Sequence, residues 1–197
     1  MKSILLIGNS GGIGHALQGA LEARGAKVTG LSRRDTGLDL SDEASIEGQL
    51  STLSGPFDAI LVASGALEIN GARPEKALSQ LTQSAFLDQF IVNAAGPALI
   101  LKHAPRLLPK DRPSQFAALS ARVGSIGDNK IGGWYSYRAA KAALNQIIHT
   151  GAIELARTHK QAICVALHPG TVQTPFTAKY LGRHASVPAA QAALNLL

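Results

Sequence analysis

The 197-residue chain is 46% hydrophobic and 16% charged, a balance that excludes a disordered tail or a small disulfide-stapled domain and predicts one globular domain over residues 1–197. Its net charge of +6 is scattered, and with 5% aromatic residues no basic stripe interleaves with rings, which argues against nucleic acid. The lone Cys164 excludes an internal disulfide and predicts a reducing, cytoplasmic setting. No stretch is read as reaching the ~18 apolar residues of a membrane span, and the apolar run in MKSILLIGNSGG is too short for a signal peptide. Neither nucleic acid nor a membrane is therefore expected as a partner.

In chain order, residues 2–7 (KSILLI) read as a buried strand and 12–25 as a helix, with Ile13, Leu17 and Leu21 on one face and Gly25 at its end. A second strand follows at 27–32. Ser41 is placed to cap a helix whose first turn holds Asp42 and Glu43. A strand at 58–63 precedes a long helix over 82–108. Strands at 115–120 and 162–168 flank a helix at 136–158, with Leu144, Ile147, Ile148 and Leu155 on its apolar side, and a last helix starts near Pro188. Such alternation predicts an α/β fold: a Rossmann-type doubly wound parallel sheet flanked by helices. Ligands in these sheets bind beyond the carboxyl ends of the strands, which here means after residues 7, 32, 63, 120 and 168.

The unusual residues sit at those ends. GNSGGIG follows the first strand, with Gly8, Gly11, Gly12 and Gly14 around Ser10 and Ile13. Glycines allow a tight turn and close backbone approach, and the amides of the following helix start face an anion. The spacing fits both GxxxGxG and GxxGxxG, and a purely structural turn is the competing reading. The second strand ends in Ser32-Arg33-Arg34, where a site for NAD usually offers a carboxylate. An arginine fork suits a phosphate, so NADP(H) is expected in preference to NAD(H). Asp39, followed by Leu40, sits where a short strand would end and is placed to accept from an adenine amino group.

In GGWYSYRAAKAAL, Tyr137 and Lys141 lie four apart and share a helix face. An ammonium beside a phenol lowers the tyrosine pKa, and such a tyrosine can act as general acid or base at a carbonyl oxygen. Tyr135 has alanine at the matching position and reads as a packing or substrate-contact residue. No Cys/His/carboxylate cluster has metal-ligand spacing around His15 or His168, so no metal is expected.

From GNSGGIG through YRAAK to HPGTVQT, the chain resembles the short-chain dehydrogenase/reductase family. The stretch ALSARVGSIGDNKIGGWYSYRAAKAALN is most similar to its carbonyl-reductase-like subgroup, which includes the C-factor and sniffer proteins. The resemblance implies hydride transfer between nicotinamide and a small-molecule carbonyl or alcohol. It makes Tyr137 the catalytic acid/base, Lys141 a ribose-holding partner and Asn93 the anchor of a water-linked proton relay. It also assigns Pro169, Gly170, Val172 and Thr174 to the cofactor, with Thr171 beside them. Ala63, Ser64 and Gly65 stand in the slot of the family's NNAG signature, whereas NAAG at 93–96 falls inside a helix. The helices at 82–108 and 136–158 resemble the family's dimer-forming pair, which implies a homodimer or homotetramer.

Two departures keep an alternative open. The family's two serines after the strand at 115–120 read Ser120-Ala121 here, so Ser120, or Ser125 from the next loop, must orient the carbonyl. With the altered NNAG slot, this supports an NADP(H)-binding regulatory or signalling protein with weak or vestigial reductase activity. A nucleotide-sugar epimerase needs a further C-terminal domain, for which no room is expected. The loop FTAKYLGRHASVP is expected to cover the substrate with Phe176, Tyr180 and Leu181. Family members add a last strand after the helix near Pro188, so that strand is expected to be missing or the sequence to be truncated at Leu197.

Overall fold

The computed structural model describes residues 2–182 and 185–197. Five parallel strands form one sheet in the order β2-β1-β3-β4-β5: β1 Ser3–Ile7, β2 Lys27–Leu31, β3 Ala59–Val62, β4 Ser114–Leu119 and β5 Ala162–Leu167. Four of the five strands fall within the ranges predicted for them, and β4 begins one residue before its predicted start at 115. Because side chains alternate along a strand, β1 serves two cores. Leu5 and Ile7 join Ile60, Val62, Phe116 and Ala118 beneath α3 (Glu43–Ser51), α5 (Gly96–Lys102) and α7 (Tyr135–Leu155). Ile4 and Leu6 point to the opposite face, against Leu17 and Leu21 of α1 (Gly12–Ala23) and Ala193 of α8 (Ala189–Leu196). Helices thus cover both faces of the doubly wound sheet.

Several local expectations need correction. No strand ends at Asp39, because its polar groups are used locally. Its N–H donates to Ser45 Oγ at 3.0 Å, and its Oδ1 accepts from the amide and hydroxyl of Ser41. Ser41 is therefore not the cap of α3. Asp42 is, accepting from the Ala44 amide at 3.0 Å. The helix predicted over 82–108 is not one α-helix. It runs as α4 (Gln83–Phe90), a π-helical turn (Ile91–Ala95), α5 and a short α6 (Ala104–Leu107). Pro97 accounts for the turn, since it has no N–H for the Asn93 carbonyl four residues back. The stretch Gln83–Lys102 is also, by length and composition, apolar enough to cross a membrane, contrary to the expectation that none is. In the fold it packs against α7 and seats Gln89 and Asn93 in buried polar contacts.

Between α7 and the C-terminus, a two-residue ladder pairs β6 (Val172–Gln173) with β7 (Val187–Pro188), tying both ends of the intervening loop together. Cys164 donates weakly to the Ile148 carbonyl, and burial pushes its thiol up to about 11, the behaviour of a packing residue.

Candidate active site

β1 pairs with β2 on one side and β3 on the other, so the strand order reverses at β1 and a crevice opens above it. A cleft of about 1300 Å³ occupies that position. The glycine turn forms its floor. Gly8 takes a left-handed φ of 86° and packs under the Ala63–Ser64 peptide, which a Cβ would meet at 3.0 Å. Gly14 is required by close approach, since a Cβ there would lie 2.0 Å from the Gly8 carbonyl oxygen. Gly8, Ser10, Gly11, Gly12 and Ile13 line the cleft, whereas Gly14 holds the turn against its helix from outside it. The α1 helix has no side-chain cap and no acidic residue in its first turn, leaving its N-terminal end positive beside the cleft.

Ser32, Arg33, Arg34, Asp39 and Leu40 line the far end. Ser32 caps the short α2 (Arg33–Thr36), accepting from Asp35 N and donating to its carboxylate. Arg34 is paired with Asp35 at 2.9 Å, and this guanidinium and Ser32 hold the Asp35 carboxyl below its ordinary range. Among the described residues Arg33 makes no ion pair, so its guanidinium is uncommitted at that end of the cleft. Ala63, Ser64 and Gly65 form the wall after β3, and Ser64 Oγ is buried without a partner. A long cleft with uncommitted amides, a free guanidinium and an orphaned hydroxyl fits a phosphorylated dinucleotide.

Tyr137 and Lys141 reach the same cleft from the first two turns of α7. Lys141 Nζ lies 5.8 Å from the Tyr137 ring centre and donates to the Leu119 carbonyl at 3.0 Å. Burial holds its ammonium down to about 8. Burial also pushes the Tyr137 phenol well above its ordinary range, so the lowered tyrosine pKa expected from the sequence is not found.

Asn93 does not line the cleft. Its side chain is fully used, accepting from Ala66 N at 3.1 Å and donating to Ala66 O and Gln89 Oε1 at 2.8 and 2.7 Å. It therefore ties the π-helical turn to the loop after β3, next to Gly65. Ser120 lines the cleft, but its hydroxyl donates to Asn145 Oδ1 at 2.6 Å. Ser125 is exposed outside the cleft and accepts from Asp128 N. Pro169, Gly170, Thr171, Val172 and Thr174 border the cleft after β5.

The Tyr137 end of the cleft has an aromatic surround. Trp134 stands edge-on to Tyr137 and Tyr180, with ring centres 6.2 and 5.3 Å away, and Phe176 lies 6.5 Å from Tyr137. Glu68 fastens this wall, accepting from the Tyr180 hydroxyl at 2.5 Å and from Lys179 Nζ at 2.9 Å. Burial and the Glu68 carboxylate push the Tyr180 phenol up to about 12. Sequence reasoning named Phe176, Tyr180 and Leu181 but missed Trp134, Glu68 and Asn145. The one local signal was Gly132-Gly133 just before Trp134, two flexible residues entering a helix.

A switch-point cleft with a glycine turn at one end and a Tyr–Lys pair at the other defines a dinucleotide-binding α/β protein of the oxidoreductase class. Residues 30–196 match the family described as Enoyl-(Acyl carrier protein) reductase. The chain belongs to the short-chain dehydrogenase/reductase family. It is 27% identical over 212 residues to 1-hydroxy-2-glutathionyl-2-methyl-3-butene dehydrogenase of Rhodococcus sp. (strain AD45), covering 100% of this chain and 89% of that one. It is 31% identical over 147 residues to the C-signal protein of Myxococcus xanthus, covering 73% and 80%. A Burkholderia multivorans crystal structure described as a short-chain dehydrogenase/reductase with bound NADP superposes at a TM-score of 0.81, with 25% identity and 99% and 88% coverage.

Proposed function

We propose that the protein is an NADP(H)-dependent carbonyl reductase that runs the alcohol direction in reverse, with Tyr137 as its general acid/base. The observation that carries this reading is the meeting of Tyr137 and a desolvated Lys141 in one cleft with the glycine turn. The NADP bound in the Burkholderia multivorans relative supports the cofactor, and Arg33 supports the preference for its 2′-phosphate. Gly8, Ser10, Gly11, Gly12 and Ile13, with Thr174 beside Gly12, would hold the diphosphate, Ala63 to Gly65 the middle of the dinucleotide, and Pro169, Gly170 and Val172 the nicotinamide end. When bound, the nicotinamide supplies or accepts a hydride.

The remaining work falls to this chain's residues. Burial keeps Tyr137 protonated, which is the form that donates to a carbonyl oxygen. Lys141 stabilises the phenolate left behind. The relay role implied for Asn93 falls to its main-chain carbonyl, because the side chain is occupied and Pro97 offers that carbonyl no α-helical N–H. Ser120 can polarise the substrate only by turning away from Asn145.

That last requirement, with Ala121 beside it, favours the second reading of an NADP(H)-binding regulatory protein with vestigial turnover. The discriminating experiment measures NADPH-dependent reduction of an aldehyde and ketone panel by wild type and Tyr137→Phe. The expected result is turnover by wild type and a loss of about 10²–10⁴-fold in the variant, at unchanged NADPH affinity. Turnover that survives the substitution overturns the mechanism, and NADPH binding without any turnover by wild type selects the regulatory reading. We extend the proposal to a homodimer or homotetramer joined through α4 and α7, where Phe86, Leu87, Phe90 and Ile153 are exposed. A monomer alone in sedimentation at micromolar concentration would count against that assembly.

A further inference from the structure

The helix that carries Tyr137 begins abnormally. Gly132, Gly133 and Trp134 all have left-handed φ values, 73°, 65° and 55°. For a bulky residue such as Trp134 this conformation is strained and persists only when its surroundings impose it. Trp134 also stands at the N-cap position of α7 without providing a side-chain cap. The first amides of the helix have no partner within it and must find acceptors elsewhere.

Glu75, 61 residues earlier in the loop after β3, supplies both the restraint and the acceptor. Its main-chain carbonyl accepts from Trp134 N at 2.5 Å, and its carboxylate Oε2 accepts from Ser136 N at 3.2 Å. Arg138 closes the segment from the other side, donating to the Gly133 and Gly132 carbonyls at 2.8 and 3.1 Å. The Glu75 side chain is only 3% exposed, forms no salt bridge among the described residues, and has Oε1 buried without a partner. A carboxylate in such a place is offset by the positive end of the helix it caps. Glu75 itself lies outside the cleft lining, whereas Trp134, which it holds, and Tyr137, the residue after the Ser136 it caps, both line it.

We propose that Glu75 is a positioning residue: its carboxylate caps the helix bearing Tyr137 while its main-chain carbonyl locks Trp134 beside the phenol, so that one remote loop sets the geometry of the reaction centre and its aromatic wall. The inference rests on the reductase reading for its catalytic consequence, but not for its structural one.

Trp134 is the sole tryptophan of the chain, so intrinsic emission reads the clasp without any turnover. Glu75→Ala and Glu75→Gln are compared with wild type for emission, acrylamide quenching, NADPH affinity, kcat and KM. In Glu75→Ala the emission moves to longer wavelength and becomes easier to quench. Its kcat falls by about 10–100-fold, with KM and NADPH affinity nearly unchanged. Glu75→Gln, which keeps an acceptor oxygen for Ser136, restores the emission and most of the turnover. Wild-type emission and kcat in Glu75→Ala overturn the proposal, as does a kcat loss matched by an equal loss of NADPH affinity or folded protein. Should Glu75→Ala not fold, Glu75→Asp, which withdraws the carboxylate by one methylene, is read by the same criteria. If wild type reduces no carbonyl, the reductase reading fails, while the emission still decides the clasp.

Discussion

The two ends of the cleft are built by different means. The cofactor end is shaped mainly by local bonds: Gly11 N closes the glycine turn onto the Gly8 carbonyl, and Ser32 caps the four-residue α2 through Asp35, although Gly8 also reaches Leu31 and the Ala63–Ser64 peptide. The substrate end is assembled across the chain. Tyr180 is fastened to Glu68 over 112 residues, and the start of α7 to Glu75 over 61. A local site tolerates no change in its backbone, whereas a site made of distant clasps can be loosened by degrees.

Substitutions of graded severity test that contrast. Gly14→Ala should act most strongly, because its Cβ has backbone 2.0 Å away and nothing flexible to displace. The expected outcome is loss of NADPH binding and a destabilisation of about 3 kcal/mol, a fall in Tm of about 6–12 °C for a domain of this size. Calorimetry and cofactor titration check it, and a variant that still binds NADPH would break the contrast at its strongest point.

Lys141→Met comes next, with turnover reduced by about 10²-fold or more. Its stability should show a sign that distinguishes a desolvated ammonium from an ordinary one. Burial lowers the folded-state pKa from 10.5 to about 8, so the unfolded chain holds the additional proton between these values. The burial cost is fully present below pH 8 and disappears as pH rises through 10.5. The methionine variant should therefore gain Tm relative to wild type at pH 7 and lose that advantage toward pH 10. An advantage independent of pH would exclude desolvation as its source.

Arginine substitutions sharpen the cofactor end. Arg33→Ala should weaken NADPH by about tenfold, the scale of one charged hydrogen bond, and leave NADH unchanged. Arg34→Ala should alter NADPH affinity less than about threefold, because Arg34 already pairs with Asp35 at 72% side-chain exposure. Equal losses from both would show that the pair acts as one fork. An effect between those of the two arginines is expected at the Tyr180 end of the cleft. Tyr180→Phe removes one hydrogen bond to Glu68 and should raise KM by about fivefold at constant NADPH affinity.

The same contrast explains what the sequence could and could not reveal. The strands, the glycine turn and the Tyr–Lys pair follow from rules acting over a few residues: alternation, helix spacing and the needs of a tight turn. The wall of Trp134, Phe176 and Tyr180 does not, because nothing near Trp134 announces Glu75 or Tyr180 as its neighbours. Ser120 illustrates the limit from another side. Its position beside the cleft was legible, but its commitment to Asn145 on α7 depends on how a helix 25 residues away is rotated. Likewise the Tyr137–Lys141 spacing correctly gave a shared face, while the direction of the tyrosine shift required knowing how dry that face is.

The π-helical turn at Ile91–Ala95 has a consequence for the phase of its helix. An α-helix advances about 100° per residue, so one additional residue in a turn rotates everything after it by that angle. That extra residue brings Pro97 and Ile100 of α5 back into line with Ala85 and Gln89 of α4, so that one buried side runs through both helices. The buried face continues while the sequence pattern shifts by one residue, with both helices against α7 and α5 also against α3. Read at a constant ~100° per residue, the apolar positions therefore spread around more of the circumference than the folded helix uses. Gln83–Lys102 has the composition of a bilayer span, although the fold uses it to brace α7 and, through Asn93 at the pivot, the loop beside the cleft.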